Sequence, residues 1–417
     1  MDREKNIAIE RRYLVPFLLV GILFLLWGLA NNMTDTLLAA FKKIMSMSDT
    51  QTSLIQFAFY GAYFCFAFPA ALFIRRYSYR SGILLGLLFY ALGTILFLPA
   101  ANTESYAFYL AAIYIMAGGC SILETTANPY VLSMGRPETA TRRLNIAQAL
   151  NPIGSITGIL LSKHFILNDL SLHSVSGTYA SLGVVLLILL VVMYFVKMPE
   201  GKDTGTQGRL SSTFSRLMKN RKYRLGVVAQ FFYVGAQICV WSFTIRLVMA
   251  EMSVSEAKAS NIYLASIICF CLGRFFFTWL MKFVSPLRLL AVAALCDALL
   301  AAVAVLFHGT AVIIALIGIS FFMSLMFPTI YGIALEGVED ASTGGQAGDA
   351  KIGACGLIMA ILGGALLTPL QGMTSDKWGV NMSYLIPLGC FAIILCYARY
   401  VAHTNTTRCE GLHGTSC

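Results

Sequence analysis

The sequence predicts an all-α membrane protein of twelve transmembrane helices, and three observations carry that prediction. Of 417 residues, 58% are hydrophobic and only 12% are charged, with a mean hydropathy of +0.74. A soluble domain is nearer about half apolar and a quarter charged, so this chain has too few charges to cover its surface and needs lipid as solvent. The apolar runs are unbroken over roughly 20 residues, the length at which a helix crosses a bilayer, and lack the period-two alternation of barrel strands. A polar stretch near the middle divides these runs six and six.

In order, the first six spans fall near Leu14–Ala40, Thr52–Ile74, Ser81–Ala101, Tyr106–Met134, Leu144–Ile166 and Tyr179–Val196. The polar stretch runs from Lys197 to Lys222. Six more spans fall near Tyr223–Ala250, Ala257–Phe283, Leu287–Phe307, Ala311–Leu335, Ile352–Gly372 and Ser383–Val401. The expected organisation is a six-helix bundle over 1–197, a central loop over 198–222, a second bundle over 223–403 and a polar tail over 404–417. The halves are weakly alike: span four holds Asn128-Pro129-Tyr130 and span ten Phe327-Pro328-Thr329-Ile330-Tyr331, and spans five and eleven both carry spaced glycines (Gly154, Gly158; Gly353, Gly356, Gly363, Gly364). Two six-helix halves related by a pseudo-two-fold axis around a central site is a transporter architecture.

Lys and Arg counts orient the chain. Alternate loops hold Arg75, Arg76 and Arg80, then Arg136, Arg142 and Arg143, and the central stretch adds a basic run from Lys197 to Arg224. The opposite loops hold only Lys42, Lys43, Lys163, Lys258 and Lys377. Both termini and the central loop are therefore expected in the cytoplasm of a multi-pass inner-membrane protein. The net charge of +10 does not indicate nucleic acid, because the basic residues sit in short loops rather than on one face. The cysteines show no metal-type spacing, and most lie inside apolar runs. The five histidines lie at or outside span ends, so no nucleophile–base or metal constellation supports an enzyme, and no cofactor is expected.

Ionisable groups inside spans are costly and are functional candidates by default. Asp35, Glu124, Arg274 and Asp297 stand out, with Arg246 near a span end. Asn32 and Asp35 are three residues apart and share a helical face; Glu124 and Asn128 are four apart and share another. Pro129 removes a backbone donor beside Glu124, which is expected to loosen that helix. Gln148 and Asn151 form a polar face in span five, Gln230, Gln237 and Trp241 one in span seven, and Asn261 enters span eight. Amides and carboxylates suit a polyhydroxylated ligand, and aromatic rings suit the apolar face of a sugar. Burial favours the neutral form of a carboxyl group, so Asp35 and Glu124 are candidates to load and release a proton. The alternative is that these groups only bond helices together. Arg274 and Asp297 lie at matching depths about their connecting turn and are expected to form a buried structural pair; the alternative is a protonated Asp297, or an Arg274 that reaches a cytoplasmic carboxylate such as Glu336.

These residues carry a resemblance. Asn31-Asn32-Met33-Thr34-Asp35, Leu54-Ile55-Gln56 with Ala58-Phe59-Tyr60, and Leu123-Glu124-Thr125-Thr126-Ala127-Asn128-Pro129 begin it. Arg143-Leu144-Asn145-Ile146-Ala147-Gln148, Val234-Gly235-Ala236-Gln237 and Gly273-Arg274-Phe275 continue it, over about Tyr13–Ala402. The chain resembles the L-fucose:proton symporters of the major facilitator superfamily. The resemblance implies a major facilitator fold, alternating access, and L-fucose or a related hexose as substrate, carried with a proton by a monomer. It implies that Asp35 and Glu124 handle proton and sugar and that Asn32, Gln148 and Asn151 line the same cavity. Relatives that carry glucose, galactose or N-acetylglucosamine tend to have Gln at the position of Glu124, which favours fucose; another hexose, with proton or sodium coupling, is the alternative. Phe327, where the pattern has Tyr, and Asp297 depart from the family.

Overall fold

The computed structural model describes residues 9–46, 49–167, 171–199, 210–336, 338, 345–346 and 348–412. Among them, twelve helical stretches are long and apolar enough to cross a membrane. The first six comprise α1 (Leu14–Ile44), α2 (Asp49–Arg76), α3 (Tyr79–Ile95) with α4 (Phe97–Thr103), α5 (Tyr106–Ser133), α6 (Ala140–Gln148) with α7 (Asn151–Ser162), and α8 (Leu172–Phe195). Helix α9 (Leu210–Lys219) follows, in a stretch expected to be loop. It is short and amphipathic, with Thr213 and Leu217 buried, a periodicity too brief to stand out beside the spans. The remaining spans are α10 (Arg221–Met252), α11 (Glu256–Leu280), α12 (Pro286–Leu306), α13 (Thr310–Met323) with α14 (Met326–Leu335), α15 (Asp349–Met359) with α16 (Leu362–Trp378), and α17 (Val380–Ser383) with α18 (Leu385–Leu412). Helix α18 carries the backbone well into the stretch expected to be a polar tail.

Local chemistry explains where these helices start and break. Side-chain oxygens of Ser78, Ser105, Ser171, Asn220 and Ser285 accept from the backbone N–H three residues on, capping α3, α5, α8, α10 and α12. Span five is interrupted at Ala149–Leu150, where Pro152 cannot donate to the Gln148 carbonyl. Span ten is interrupted at Ser324–Leu325, four residues before Pro328. Span four behaves differently from expectation: α5 runs through Pro129 without interruption. Its far end is held by Arg143, which is fully buried and donates to the carbonyls of Val131 (2.7 Å) and Leu132 (2.5 Å) and to Thr139 Oγ1 (3.1 Å). An arginine thus satisfies carbonyls that a helix end leaves without partners.

The chain forms two compact units, Met1–Leu217 with Gly337–Leu362 and Met218–Glu336 with Gly363–Cys417. In the first unit, α5 packs on α2 and α3, α7 packs on α1, and α8 packs on α3. Helix α15 belongs here too, against α2 and α5. Asp349 at its start accepts two hydrogen bonds from Arg216 of α9, both 2.7 Å, and Lys351 lies 4.7 Å over the ring of Tyr79. The carboxylate also holds the Arg216 guanidinium above its ordinary range, the direction a charge-assisted bidentate pair produces. In the second unit, α18 packs on α10 and α12, and α13 packs on α11 and α12. The fold as a whole is the all-helical, twelve-span arrangement that the sequence predicts.

Candidate functional site

The first unit gathers a polar cluster from four spans. Two backbones come close because two glycines allow it: a methyl group on Gly154 would overlap the Leu25 carbonyl, and one on Gly28 would overlap the Asn151 carbonyl. Spans one and five therefore touch through backbone, and one amide reaches across: Asn151 Nδ2 donates to the Phe24 carbonyl at 3.2 Å, whereas Asn32 Nδ2 bonds within α1, donating to the Gly28 carbonyl one turn back at 3.2 Å. On the side facing span four, Gln148 Nε2 donates to Asn128 Oδ1 at 2.8 Å, with both residues buried. One turn from Asn128 stands Glu124, 2% exposed, and among the described residues neither carboxylate oxygen has a hydrogen-bond partner.

Beside Glu124 lies Tyr63 of α2, fully buried and within electrostatic reach of the carboxylate. Its phenol oxygen accepts from the indole N–H of Trp27 in α1, and its carbonyl accepts from Ser121 Oγ at 3.1 Å. Neither Trp27 nor Tyr63 stood out in the sequence, because an aromatic residue in an apolar run reads as core. A usable signal existed: Trp27 lies four residues before Asn31, and Tyr63 three after Tyr60, each on a face already marked by polar or aromatic residues.

The structure thus bonds Gln148 to Asn128, one turn from Glu124, and seats Asn151 against α1, the helix that carries Asn32. Asp35 falls within α1, but its side chain lies outside the described residues. Gln237, Trp241 and Asn261 belong to the second unit. Gln237 and Trp241 are half-buried on α10, one turn apart; Asn261 is exposed on α11. Trp241 meets Phe270 edge-on with centroids 5.1 Å apart, and its indole N–H is buried with no partner among the described residues.

The proposed Arg274–Asp297 pair is not realised as a direct bond. Both side chains are buried, at 3% and 0% exposure. No ion pair between them falls within 4 Å, and neither oxygen of Asp297 has a hydrogen-bond partner among the described residues. Tyr233 of α10 is within electrostatic reach of both, and depth matching along two helices says nothing about how each side chain is rotated about its helix axis.

A bonded amide pair one helical turn from an unbonded, buried carboxyl group suits reversible binding of a polar, uncharged molecule and of a proton. The whole-chain comparisons point the same way. The Major Facilitator Superfamily model matches residues 17–348. The chain belongs to the major facilitator superfamily. It is 40% identical to the L-fucose-proton symporter of Haemophilus influenzae, over 94% of this chain and 97% of that one. It is 30% identical to the glucose/galactose transporter of Brucella abortus, over 93% and 94%. The crystal structure of the Escherichia coli fucose:proton symporter superposes with a TM-score of 0.84 at 34% identity, covering 94% of this chain and 99% of that one. The chain is a twelve-span membrane transporter and not an enzyme.

Proposed function

We propose that this transporter carries L-fucose into the cell together with a proton, by alternating access. The observation that carries the reading is Glu124: a carboxyl group buried to 2% and bare of hydrogen bonds, one helical turn from the Asn128–Gln148 amide pair. An isolated charge at bilayer depth costs at least about 2.5–3.5 kcal/mol, so the group rests as a neutral acid and ionises only when water or a partner arrives. Proton binding is then linked to which side of the membrane the site faces. In this reading Asp35 and Glu124 handle the proton, and both contact sugar. Asn32, Gln148 and Asn151 supply amide hydrogen bonds to the sugar hydroxyls, Gln237 and Asn261 add polar contacts, and Trp241 presents its ring. The protein works as a monomer in the inner membrane, with both termini in the cytoplasm, as the Lys and Arg bias of the loops supports.

Glutamate rather than glutamine at position 124 favours fucose over the other hexoses, and the higher identity to a fucose symporter than to a glucose/galactose transporter agrees. Counterflow of labelled L-fucose in proteoliposomes, competed with a hexose panel, tests the sugar. Uptake driven by a pH gradient, acid outside, tests the ion. Fucose should compete best, and the pH gradient should drive accumulation without sodium. Preferential competition by glucose or galactose would overturn the sugar assignment, and sodium-driven uptake indifferent to pH would overturn proton coupling.

A further inference from the structure

Four carboxyl groups among the described residues have side chains that are almost fully buried, and they divide into two kinds. Two are satisfied. Glu251 accepts from Gly309 N at 2.5 Å and Asn381 Nδ2 at 2.7 Å and pairs with His308 Nδ1 at 3.0 Å. Asp349 takes both bonds of Arg216 and the Gln346 N–H at 3.1 Å. These carboxylates join helix ends and turns, and ionised acceptors with three donors each are stable where they are. The other two are Glu124 and Asp297, whose oxygens are all without hydrogen-bond partners among the described residues. A fold that dresses its structural carboxylates so fully has left these two bare.

The surroundings of Asp297 suggest what its charge would act on. Span ten is broken between α13 and α14, and carbonyls at a helix end lack intrahelical partners. The carbonyl of Met323, the last residue of α13, accepts from the hydroxyl of Tyr233 at 3.1 Å. The Tyr233 ring also meets Phe327 of α14 edge-on at 6.2 Å, so this one side chain touches both sides of the break. Tyr233 is fully buried, within electrostatic reach of Asp297 and of Arg274. Cys296 is the other group that feels Asp297. Of the elements packed on α12, α13 and α17 carry no titratable side chain, α14 carries Tyr331, and the buried titratable groups of α18 are Cys390 and Tyr397, which interact with Cys239 and Glu336. No second acid shares the position.

We propose that Asp297 is a second proton-binding site of the transporter, acting through Tyr233 on the break in span ten. Protonated, Asp297 leaves the Tyr233 hydroxyl to the Met323 carbonyl. Ionised, it attracts that hydroxyl, and the bond to the carbonyl at the break is given up. Sugar exchange then depends on the charge of a residue that need not touch sugar. This rests on the proton-coupled reading above.

The test compares the wild type with Asp297→Asn and Asp297→Glu in proteoliposomes, measuring sugar counterflow and proton-driven accumulation from pH 5 to 9 with whichever hexose the wild type exchanges best. Asparagine imitates the neutral acid and cannot release a proton. Asp297→Asn should exchange sugar within about threefold of wild type at acid pH, while the alkaline fall-off is displaced by about one pH unit or flattened. Its proton-driven accumulation should drop, and Asp297→Glu should restore the pH dependence. If Asp297→Asn does not fold, Asp297→Leu asks the same question, since an apolar chain leaves no polar group to satisfy. A folded variant with the wild-type pH profile overturns the proposal, leaving Glu124 as the coupling group. A wild type that exchanges no hexose overturns the transport reading itself, and this inference with it.

Discussion

The two units hold their buried carboxyl groups in different company, and the difference separates binding from switching. Glu124 sits among hydrogen-bonding groups that suit a sugar: the Asn128–Gln148 pair, the Tyr63 phenol and, beyond them, Asn32 and Asn151. Asp297 is within electrostatic reach of Tyr233, whose hydroxyl bonds a carbonyl at the break in a helix. A ligand of many hydroxyl groups needs the first environment. A change of helix geometry needs the second. The backbone frame around them is shared. Gly154 lets span five touch the Leu25 carbonyl of span one, and Gly363 lets span eleven touch the Phe231 carbonyl of span seven. The same close approach therefore recurs one half-chain later, at the faint repeat visible in the glycines.

The largest effects should come from that shared frame. Gly154→Val and Gly363→Val each place a side chain on a carbonyl that cannot retreat, and neither should yield folded protein in detergent. Gly177→Ala, which meets open space, should leave yield and melting temperature unchanged. Recovery of a well-folded Gly363→Val but not Gly154→Val by size-exclusion chromatography would break the equivalence of the two contacts.

Next is the contrast between the carboxyl groups. Glu124→Gln should abolish proton-driven accumulation, leaving the internal sugar no higher than the external, while labelled-sugar exchange survives at a reduced rate. Glutamine keeps the hydrogen-bonding capacity and loses the proton. Accumulation by this variant against a gradient would remove Glu124 as the coupling group and leave Asp35 and Asp297.

A smaller effect should come from charge coupling between Arg274 and Asp297. Melting temperatures of Arg274→Met, Asp297→Leu and the double variant should be non-additive, with the double variant less damaged than the sum, because removing one charge strands the other. With no direct bond between the two, the coupling should be on the order of 1 kcal/mol rather than the 3–5 kcal/mol of a broken direct pair. Strict additivity would remove any interaction between them.

The smallest should come from Arg216→Gln. It leaves Asp349 more than nine-tenths buried with the Gln346 N–H as its remaining donor among the described residues, a loss of about 1–3 kcal/mol, read as a lower melting temperature with sugar affinity unchanged. A change in sugar affinity of equal size would show that the α9–α15 contact takes part in binding.

Much of this was legible in the residues. Span number, the polar divide and the positions of Asn32, Glu124, Gln148 and Asn151 follow from hydropathy and helical spacing, because a bilayer imposes one length and a helix one period. The family resemblance extended the same residues to a transport reading. What spacing cannot carry is the choice of neighbour. Trp27 and Tyr63 read as core in an apolar run, and only packing bonds the Trp27 indole to a Tyr63 hydroxyl within electrostatic reach of Glu124. Pro129 and Pro328 look alike in sequence, yet α5 continues through one and span ten breaks ahead of the other, because surrounding helices decide whether a freed carbonyl is tolerated in place. Arg274 and Asp297 are both buried, but depth is a coordinate along a helix axis, whereas pairing depends on rotation about that axis and on what neighbouring helices insert. Tyr233, from span seven, is within electrostatic reach of both. The sequence alone therefore determined which spans carry the polar and ionisable groups; tertiary structure decided which of them meet, since contacts across a bundle are set by side-chain volume and backbone approach that no single span encodes.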